Sequence, residues 1–342
     1  MTEAVRIAAE PIRLSQLLIV IPCLNEEKHL ESLLLQLIAD VPGADIIVSD
    51  GGSSDASPAI VRRISADYPH VRLLDNPARL QSAGVNLAVR RYGRDKAWLL
   101  RIDAHCAYPA GYVSGLMRSA IERGADSVVV PMVTRGRGCF QRAAAAAQNS
   151  AIGTGGSPHR GASFGRFVDH GHHALMRVDL FMAVGGYREA MSHNEDAELD
   201  MRLAAAGARI WLEPAQAIVY HPRTSPAALL RQYYRYGRGR ACTVRLHRSR
   251  LKLRQAVPLA VPIAVAMALL GPLLPILILP AAVWVSACLG TGFALGIVQG
   301  DRCVFATGLA AMIMHLGWGS GYLIERLRPA RGSSSMTALD FL

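Results

Sequence analysis

The stretches LLIVIPCLNEE at residues 17–27 and IIVSDGGSSD at residues 46–55 decide the fold class of this sequence. Each begins with a short apolar run rich in β-branched residues, which is typical of a buried strand in a parallel sheet. Leucines at helical spacing lie between the two runs, within residues 30–37. A further predicted strand and helix lead to AWLLRIDAH at residues 97–105. This alternation predicts a Rossmann-like, mainly parallel sheet with helices on both faces.

Polar side chains stand where the predicted strands end. Asn25 and Glu26 follow the first strand, Asp50 closes the second, and Asp103 follows the fourth. Ligands of such sheets bind outside the carboxyl ends of the strands, so we expect these groups to line one crevice. Asp50 also fits a second interpretation, because an aspartate in a Gly-Ser loop is a common turn former.

Composition limits the class of protein. The chain has 342 residues, of which 51% are hydrophobic, and a formal net charge of +11. Its six cysteines include no CxxC pair, so we expect reduced thiols rather than a zinc site or a disulfide framework. The first residues carry Glu3 and Glu10 and no secretory signal, which predicts an N-terminal part that stays in the cytoplasm.

The C-terminal part is strongly apolar. Residues 255–324 contain only two charged side chains, Asp301 and Arg302. A membrane-spanning helix takes about 20 residues. The sequence therefore predicts two or three transmembrane helices, at residues 256–274, 279–299 and 303–324. Buried helices of a soluble core are the alternative, although such helices seldom run so long without a charge.

A basic segment precedes the apolar part. Residues 223–254 hold ten Lys or Arg and no acid, which fits attraction to anionic lipid headgroups. The tyrosines in this segment leave nucleic-acid binding as an alternative, which we regard as the weaker one. The predicted organisation is a cytoplasmic domain at 1–222, a membrane-interface segment at 223–254, a transmembrane region at 255–325 and a tail at 326–342.

Five motifs, in order, resemble those of family 2 glycosyltransferases with the GT-A fold. They are IVIPCLNEE at 19–27, DGGSSD at 50–55, DAH at 103–105, NED at 194–196 and QYYRY at 232–236. Together with DHGHH at 169–173 and the apolar C-terminus, the set is most similar to the succinoglycan-type, ExoA-like exopolysaccharide glucosyltransferases. The histidines of DHGHH lack a neighbouring cysteine, which disfavours a zinc site there.

The resemblance implies roles for individual residues. Asp196 would be the catalytic base, whereas Glu198 and Asp200 are explained by the helix dipole. His105 stands where the family usually has the second Asp of a DxD motif, and imidazole suits Mn²⁺ somewhat better than Mg²⁺. The implied nucleotide-sugar residues are Pro22, Asn25, Glu26, Asp50, Asp103 and Arg235; the metal ligands are Asp103, His105 and His221; and the acceptor-side residues are His172, Glu195, Gln232 and Tyr236.

The implied reaction is inverting transfer of a hexose, glucose by the resemblance, from a UDP-sugar to a polyprenyl-diphosphate-linked saccharide. Polyprenyl phosphate as the acceptor and a non-catalytic membrane scaffold are the two alternatives. We expect a multi-pass protein of the bacterial inner membrane with its catalytic domain in the cytoplasm. The oligomeric state stays open.

Overall fold

The computed structural model describes residues 14–157, 164–191 and 193–328, apart from the side chain of His173. The charged N-terminal residues and most of the predicted tail at 326–342 lie outside the described residues. The chain packs as two compact units. The first comprises Met1–Val130, Phe164–Arg188 and Leu199–Ala217, and the second comprises Pro131–Ser163, Glu189–Glu198 and Ile218–Leu342. The predicted division at residues 222 and 254 stays a prediction.

Strands and helices alternate through the first half of the chain. The strands are β1 (Leu17–Cys23), β2 (Asp45–Asp50), β3 (Val71–Asp75), β4 (Trp98–Arg101), β5 (Ser127–Val130), β6 (Met132–Thr134), β7 (Arg166–Phe167), β8 (His172–Arg177), β9 (Ile210–Leu212) and β10 (Ile218–Tyr220). The helices are α1 (Glu27–Asp40), α2 (Ser57–Asp67), α3 (Gln81–Tyr92), α4 (Tyr112–Arg123), α5 (Cys139–Gln148), α6 (Ala151–Thr154), α7 (Val178–Ala183), α8 (Glu195–Ala205), α9 (Pro226–His247), α10 (Leu253–Ala256), α11 (Ala260–Leu269), α12 (Leu279–Gln299) and α13 (Thr307–Leu327).

The first unit contains a mixed sheet with the strand order β3-β2-β1-β4-β8-β5-β9-β7. The strands β3, β2, β1 and β4 are all parallel, which confirms the prediction for this half. Strand β8 runs antiparallel to both β4 and β5. Strand β8 was not among the strands predicted from the sequence.

Both faces of this sheet are covered. Leu18, Val20 and Ile47 pack in one cluster with Phe181 of α7. Ile19 lies on the opposite face of β1 and is also fully buried. Because successive side chains of a strand point to opposite faces, burial of both sets requires packing on each side, as predicted.

The second unit is built around α9 and α13. The close approach of these helices is visible at their glycines: a methyl group on Gly237 would lie 2.0 Å from the carbonyl oxygen of Trp318, and one on Gly321 would lie 2.1 Å from that of Tyr234. Small residues permit such backbone approach between helices. The basic segment therefore forms a helix with one side packed on α13, and its Arg238 is buried against Glu325 at 3.0 Å.

Two helical stretches of the described chain, Pro275–Gln299 and Arg302–Leu327, are long and apolar enough to cross a membrane. The structure corrects the bounds of the first of the three predicted spans, at 256–274. The apolar helix there is Leu253–Leu269, which comprises α10, a 3₁₀ turn at Val257–Leu259 and α11 in succession and is shorter than the other two. Pro258 lies in the 3₁₀ turn and has no backbone N–H to donate to a regular helix.

The expectation that all six cysteines are reduced is also wrong. Cys139, at the start of α5, forms a disulfide with Cys303, which precedes α13. Cys23, Cys106, Cys242 and Cys288 are free thiols. The two paired residues are separated by 164 positions, so no local spacing pattern could have indicated the bond.

Candidate active site

The carboxyl ends of β1, β2 and β4 meet at one edge of the sheet in the first unit. Asn25 and Glu26 follow β1, Asp50 is the last residue of β2, and Asp103 comes two residues after β4. The structure thus brings to one edge the polar groups predicted to line a crevice. Pro22, the remaining predicted nucleotide residue of this unit, lies in β1 and pairs in register with Ser49.

Asp50 organises the Gly-Ser loop that follows β2. Its carboxylate is almost fully buried and accepts hydrogen bonds from the Ser53 hydroxyl at 2.5 Å and from the backbone N–H groups of Gly52 and Ser53 at 3.1 and 3.0 Å. Asn25 accepts a 2.8 Å bond from the backbone of Ser54, which ties this loop to the end of β1. The turn-forming interpretation of Asp50 therefore holds, and its contact with a nucleotide stays a prediction.

Glu26 and His105 form a pair at this edge. The His105 Nδ1 lies 3.0 Å from a carboxylate oxygen of Glu26, and the imidazole is 56% exposed. These two residues were predicted to have separate roles, Glu26 in nucleotide binding and His105 in metal binding. In the structure they are neighbours, so a substitution of either one changes the surroundings of the other.

Asp103 is held by several groups. One carboxylate oxygen accepts a hydrogen bond from Gln81 at 2.9 Å and from Arg101 at 3.3 Å. The backbone N–H of Asp103 donates to the hydroxyl of Tyr108 at 2.8 Å. The other carboxylate oxygen lies 3.5 Å from Nε2 of His172. The Asp103 side chain is 14% exposed, so it is oriented by the protein but open to a ligand.

His172 meets Asp103 because of strand register. Strands β4 and β8 are antiparallel, and Leu100 lies opposite Leu175. Asp103 comes three residues after Leu100, and His172 comes three residues before Leu175, so the same register brings Asp103 and His172 together. The resemblance had assigned His172 to the acceptor side. Its observed neighbour is the carboxylate predicted to bind metal and ribose, and the acceptor-side role of His172 stays a prediction.

A buried pair supports the segment before β8. Asp200 is fully buried and lies 2.6 Å from Nδ1 of His170, and it also accepts a long hydrogen bond of 3.4 Å from the backbone N–H of Gly171. From the sequence, Asp200 was explained by the helix dipole alone. Its pairing with His170 could not be predicted, because the two residues are 30 positions apart and no local pattern links them.

The donor groups at this edge determine whether a metal ion could be held there. Within the described ranges, no three His, Cys, Asp or Glu side chains are grouped to hold a metal ion. Asp103 and His172 nevertheless offer a carboxylate oxygen and an imidazole nitrogen 3.5 Å apart. Two atoms that share an ion at about 2.1 Å each can be at most about 4.2 Å apart, so this pair fits a divalent cation. A nucleotide diphosphate would supply further oxygen ligands.

His221 lies in the second unit, after β10. Its Nδ1 is 2.7 Å from the carbonyl oxygen of Arg135. A carbonyl only accepts hydrogen bonds, so Nδ1 carries the proton and donates it, which leaves Nε2 as the acceptor nitrogen. This is the tautomer that a metal-binding histidine adopts. The predicted metal role of His221 stays a prediction.

The predicted base and its neighbours also belong to the second unit. Glu195 and Asp196 are partly exposed residues in the first turn of α8. His193 precedes them, and its pKa is lowered to about 4, first by burial and then by the positive charges of Arg235, Arg238 and Arg223. This imidazole is therefore neutral near pH 7, and cationic groups surround it.

Gln232 and Tyr236 lie one turn apart on α9 and are in contact. The Gln232 amide donates to the hydroxyl of Tyr236 at 2.9 Å and to that of Tyr220 at 2.8 Å. The amide oxygen of Gln232 is buried and has no hydrogen-bond partner among the described residues. A buried acceptor without a partner is costly, unless a ligand donates to it.

The comparisons identify the family. The family model "Glycosyl transferase family 2" matches residues 18–185, and "Glycosyl transferase family group 2" matches residues 116–298. The chain is 47% identical over 312 residues to succinoglycan biosynthesis protein ExoA of Rhizobium meliloti strain 1021, covering 91% of this chain and 94% of the relative.

A solved structure shows the fold. The mannosyltransferase PcManGT from Pyrobaculum calidifontis, in complex with GDP-Man and Mn²⁺, matches with a TM-score of 0.59 at 19% identity, over 92% of this chain and 90% of that one. This likeness confirms the predicted GT-A fold. With these family matches, the chain belongs to the family 2 glycosyltransferases, in the group related to ExoA.

Proposed function

We propose that the chain is a membrane-anchored, inverting glycosyltransferase that moves a hexose, glucose by the resemblance, from a UDP-sugar to a polyprenyl-diphosphate-linked saccharide. The meeting of Asn25, Glu26, Asp50, Asp103 and His172 along one sheet edge carries the proposal, because such edges bind nucleotides. The similar protein ExoA, named for succinoglycan biosynthesis, supports a role in exopolysaccharide synthesis.

The donor would bind through its nucleotide at this edge. Pro22, Asn25, Glu26 and Asp50 are the proposed nucleotide contacts of the first unit. Arg235 is proposed to neutralise the diphosphate, since a guanidinium pairs well with phosphate oxygens. No described acidic side chain forms an ion pair with Arg235, which supports its availability to an anion.

A divalent metal, Mn²⁺ or Mg²⁺, is proposed at Asp103. The 3.5 Å contact supports His172 as the imidazole beside this carboxylate, and His105 and His221 complete the predicted set. When bound, the metal would offset the negative charge that develops on the departing diphosphate. Arg101 and Gln81 hold Asp103 in place by their hydrogen bonds to its other oxygen.

Asp196 is the proposed base. Its carboxylate takes the proton of the acceptor hydroxyl while the hydroxyl oxygen bonds to C1 of the sugar, and the bond from C1 to the diphosphate breaks with UDP leaving. Direct displacement inverts the anomeric centre. His172 and Glu195, with Gln232 and Tyr236, were predicted on the acceptor side, and the buried amide oxygen of Gln232 could accept from a sugar hydroxyl.

The membrane is the proposed location of the acceptor. Pro275–Gln299 and Arg302–Leu327 would anchor the chain in the bacterial inner membrane, with the predicted catalytic domain, 1–222, on the cytoplasmic side. The basic segment 223–254 would face anionic headgroups. A chain anchored there meets a lipid-linked acceptor by diffusion in two dimensions.

The test compares Asp196→Asn with the wild-type enzyme in nanodiscs that contain lipid-linked saccharide. Transfer from a UDP-sugar should fall by about 10²- to 10⁴-fold, the usual contribution of a general base, while UDP binding measured by calorimetry stays unchanged. Asp179→Asn is a matched control, because Asp179 is also an acid in the first turn of a helix and is 59% exposed. Retained turnover in Asp196→Asn contradicts the role of Asp196.

The same assay separates the alternative functions. Polyprenyl phosphate offered in place of the diphosphate-linked saccharide tests the second acceptor class. A non-catalytic scaffold predicts that no UDP is released with either acceptor. Release of UDP only with the diphosphate-linked saccharide supports the proposal as stated.

A further inference from the structure

Three residues on one face of α9 contact the chain segment that leads into α8. Gly239, Thr243 and His247 are spaced four residues apart, so they lie along one side of that helix. Each touches a residue between His193 and Glu198. All of these residues belong to the second unit.

The contacts are close and largely buried. A methyl group on Gly239 would lie 2.5 Å from the carbonyl oxygen of His193, so only glycine allows this approach. The Asn194 amide donates to the Thr243 hydroxyl at 2.6 Å, and that hydroxyl donates to the carbonyl oxygen of Gly239 at 3.1 Å. Thr243 is fully buried, so solvent water cannot replace the hydrogen-bond partners of its hydroxyl.

The third contact joins His247 to Glu198. The Nε2 of His247 lies 2.9 Å from a carboxylate oxygen of Glu198, which is fully buried. From the sequence, Glu198 was explained by the helix dipole. The burial of Glu198 against the His247 imidazole shows that Glu198 also links the first turn of α8 to α9.

Asn194 is the residue through which these contacts reach Asp196. Its φ is +68°, in the left-handed region that non-glycine residues adopt only at a cost. Its carbonyl oxygen accepts the 3.1 Å hydrogen bond from the N–H of Glu198 and so begins the ladder of α8. The direction in which α8 starts, and with it the direction of Asp196 two residues later, therefore depends on how Asn194 is held.

We infer that Gly239, Thr243 and His247 are positioning residues that hold Asp196 in the orientation required of the base. This inference rests on the proposed function of Asp196. The three residues touch neither donor nor acceptor in this role, and they act through Asn194 and Glu198. A displacement of about 1 Å at a reacting group can cost about 10²-fold in rate, so the hydroxyl of one buried threonine affects turnover.

Thr243→Val tests the inference in the full-length enzyme in nanodiscs. Valine keeps the shape of threonine but leaves the Asn194 amide without its acceptor. We expect kcat to fall by about 10- to 100-fold, by misplacement of the base, while KM for the UDP-sugar and UDP affinity stay within about twofold. Thr243→Ser retains the hydroxyl and should keep kcat within about threefold of the wild type.

A double variant separates positioning from general destabilisation. If Thr243 acts through Asp196, adding Thr243→Val to Asp196→Asn should lower the residual rate no further, because residues that act as a unit are not additive. A full additional loss in the double variant overturns the inference. Wild-type kcat in Thr243→Val also overturns it, as does an equal loss in Thr243→Ser.

The outcome is distinguishable from failure of the proposed function. If Asp196→Asn alone keeps full turnover, the assignment of the base fails, whatever Thr243→Val does. If Asp196→Asn is inactive and Thr243→Val is fully active, only the positioning inference fails. His247→Gln provides an independent variant, because glutamine can still donate to Glu198, and it should resemble the wild type more closely than His247→Leu does.

Discussion

His172→Gln should weaken the binding of Mn²⁺ to the enzyme–UDP complex. The substitution removes the imidazole nitrogen that lies 3.5 Å from a carboxylate oxygen of Asp103. Glutamine has a similar reach and remains uncharged, so strand β8 should keep its register with β4. The change therefore tests the nitrogen ligand and little else.

The expected magnitude follows from how few protein groups are available. Among the described residues, two carboxylate–imidazole pairs lie at this edge: Asp103 with His172, and Glu26 with His105. Loss of an outer-shell partner of a metal ligand already costs about 10- to 100-fold in affinity. Loss of a direct ligand should cost at least about 100-fold, or roughly 2.7 kcal/mol.

Titration of Mn²⁺ followed by electron paramagnetic resonance measures this affinity directly, without turnover. His29→Gln is the matched control, because His29 is an exposed histidine of α1 to which no metal role is assigned. We expect His29→Gln to bind Mn²⁺ within about threefold of the wild type, well below the loss expected of a direct ligand. Pulsed spectra should show ¹⁴N coupling in the wild type that is weakened in His172→Gln. Unchanged affinity in His172→Gln, or a larger loss in His29→Gln, would refute the reasoning.

Two further predictions concern the second unit. The pKa of His193 is about 4 in the folded chain against 6.5 for a free imidazole, so the unfolded chain binds the extra proton first as the pH falls. The free energy of unfolding should therefore fall between about pH 6.5 and pH 4, by at most about 3 kcal/mol. In urea titrations, His193→Gln should flatten this pH dependence. Gly237→Ala would place a methyl group 2.0 Å from the carbonyl oxygen of Trp318, which should destabilise the packing of α9 on α13 by about 1–3 kcal/mol in thermal melts. Gly290→Ala is the control, because no atom apart from the adjoining backbone of its own helix lies within 4 Å of the added methyl group there, and an unchanged Tm in Gly237→Ala would contradict the close packing.

The parallel half of the sheet could be predicted from sequence because its strands are continuous apolar runs. The run at Leu17–Cys23 is buried on both faces, and this burial on both sides makes the pattern recognisable. Strand β8 could not be predicted in this way. Its segment, His172–Arg177, begins with two histidines, and its pairing with β4 and β5 depends on contacts distant in sequence.

The same distinction applies to the candidate site. Asp50 and Asp103 are predictable because strand ends fix their places, and both lie at the expected edge. The contact of His172 with Asp103, the pair of His170 and Asp200, and the disulfide of Cys139 join residues that are far apart in sequence. A single sequence shows which side chains are present, but it does not show such tertiary pairings.

The basic segment shows how a correct observation about charge can hide a packing role. Its arginines indicate a surface, yet α9 also packs on α13 through glycines and holds Asn194 through Thr243. Glycines at 237 and 239 were the signal in the sequence, since glycine inside a helix often marks a close approach.

The anomeric configuration of the transferred sugar tests the central claim most directly. The purified enzyme in nanodiscs would be supplied with α-linked UDP-glucose and a polyprenyl-diphosphate-linked saccharide, and the product would be examined by proton nuclear magnetic resonance. The account predicts one UDP released for each sugar transferred and a β-linkage in the product. A product with an α-linkage would contradict direct displacement with Asp196 as the base.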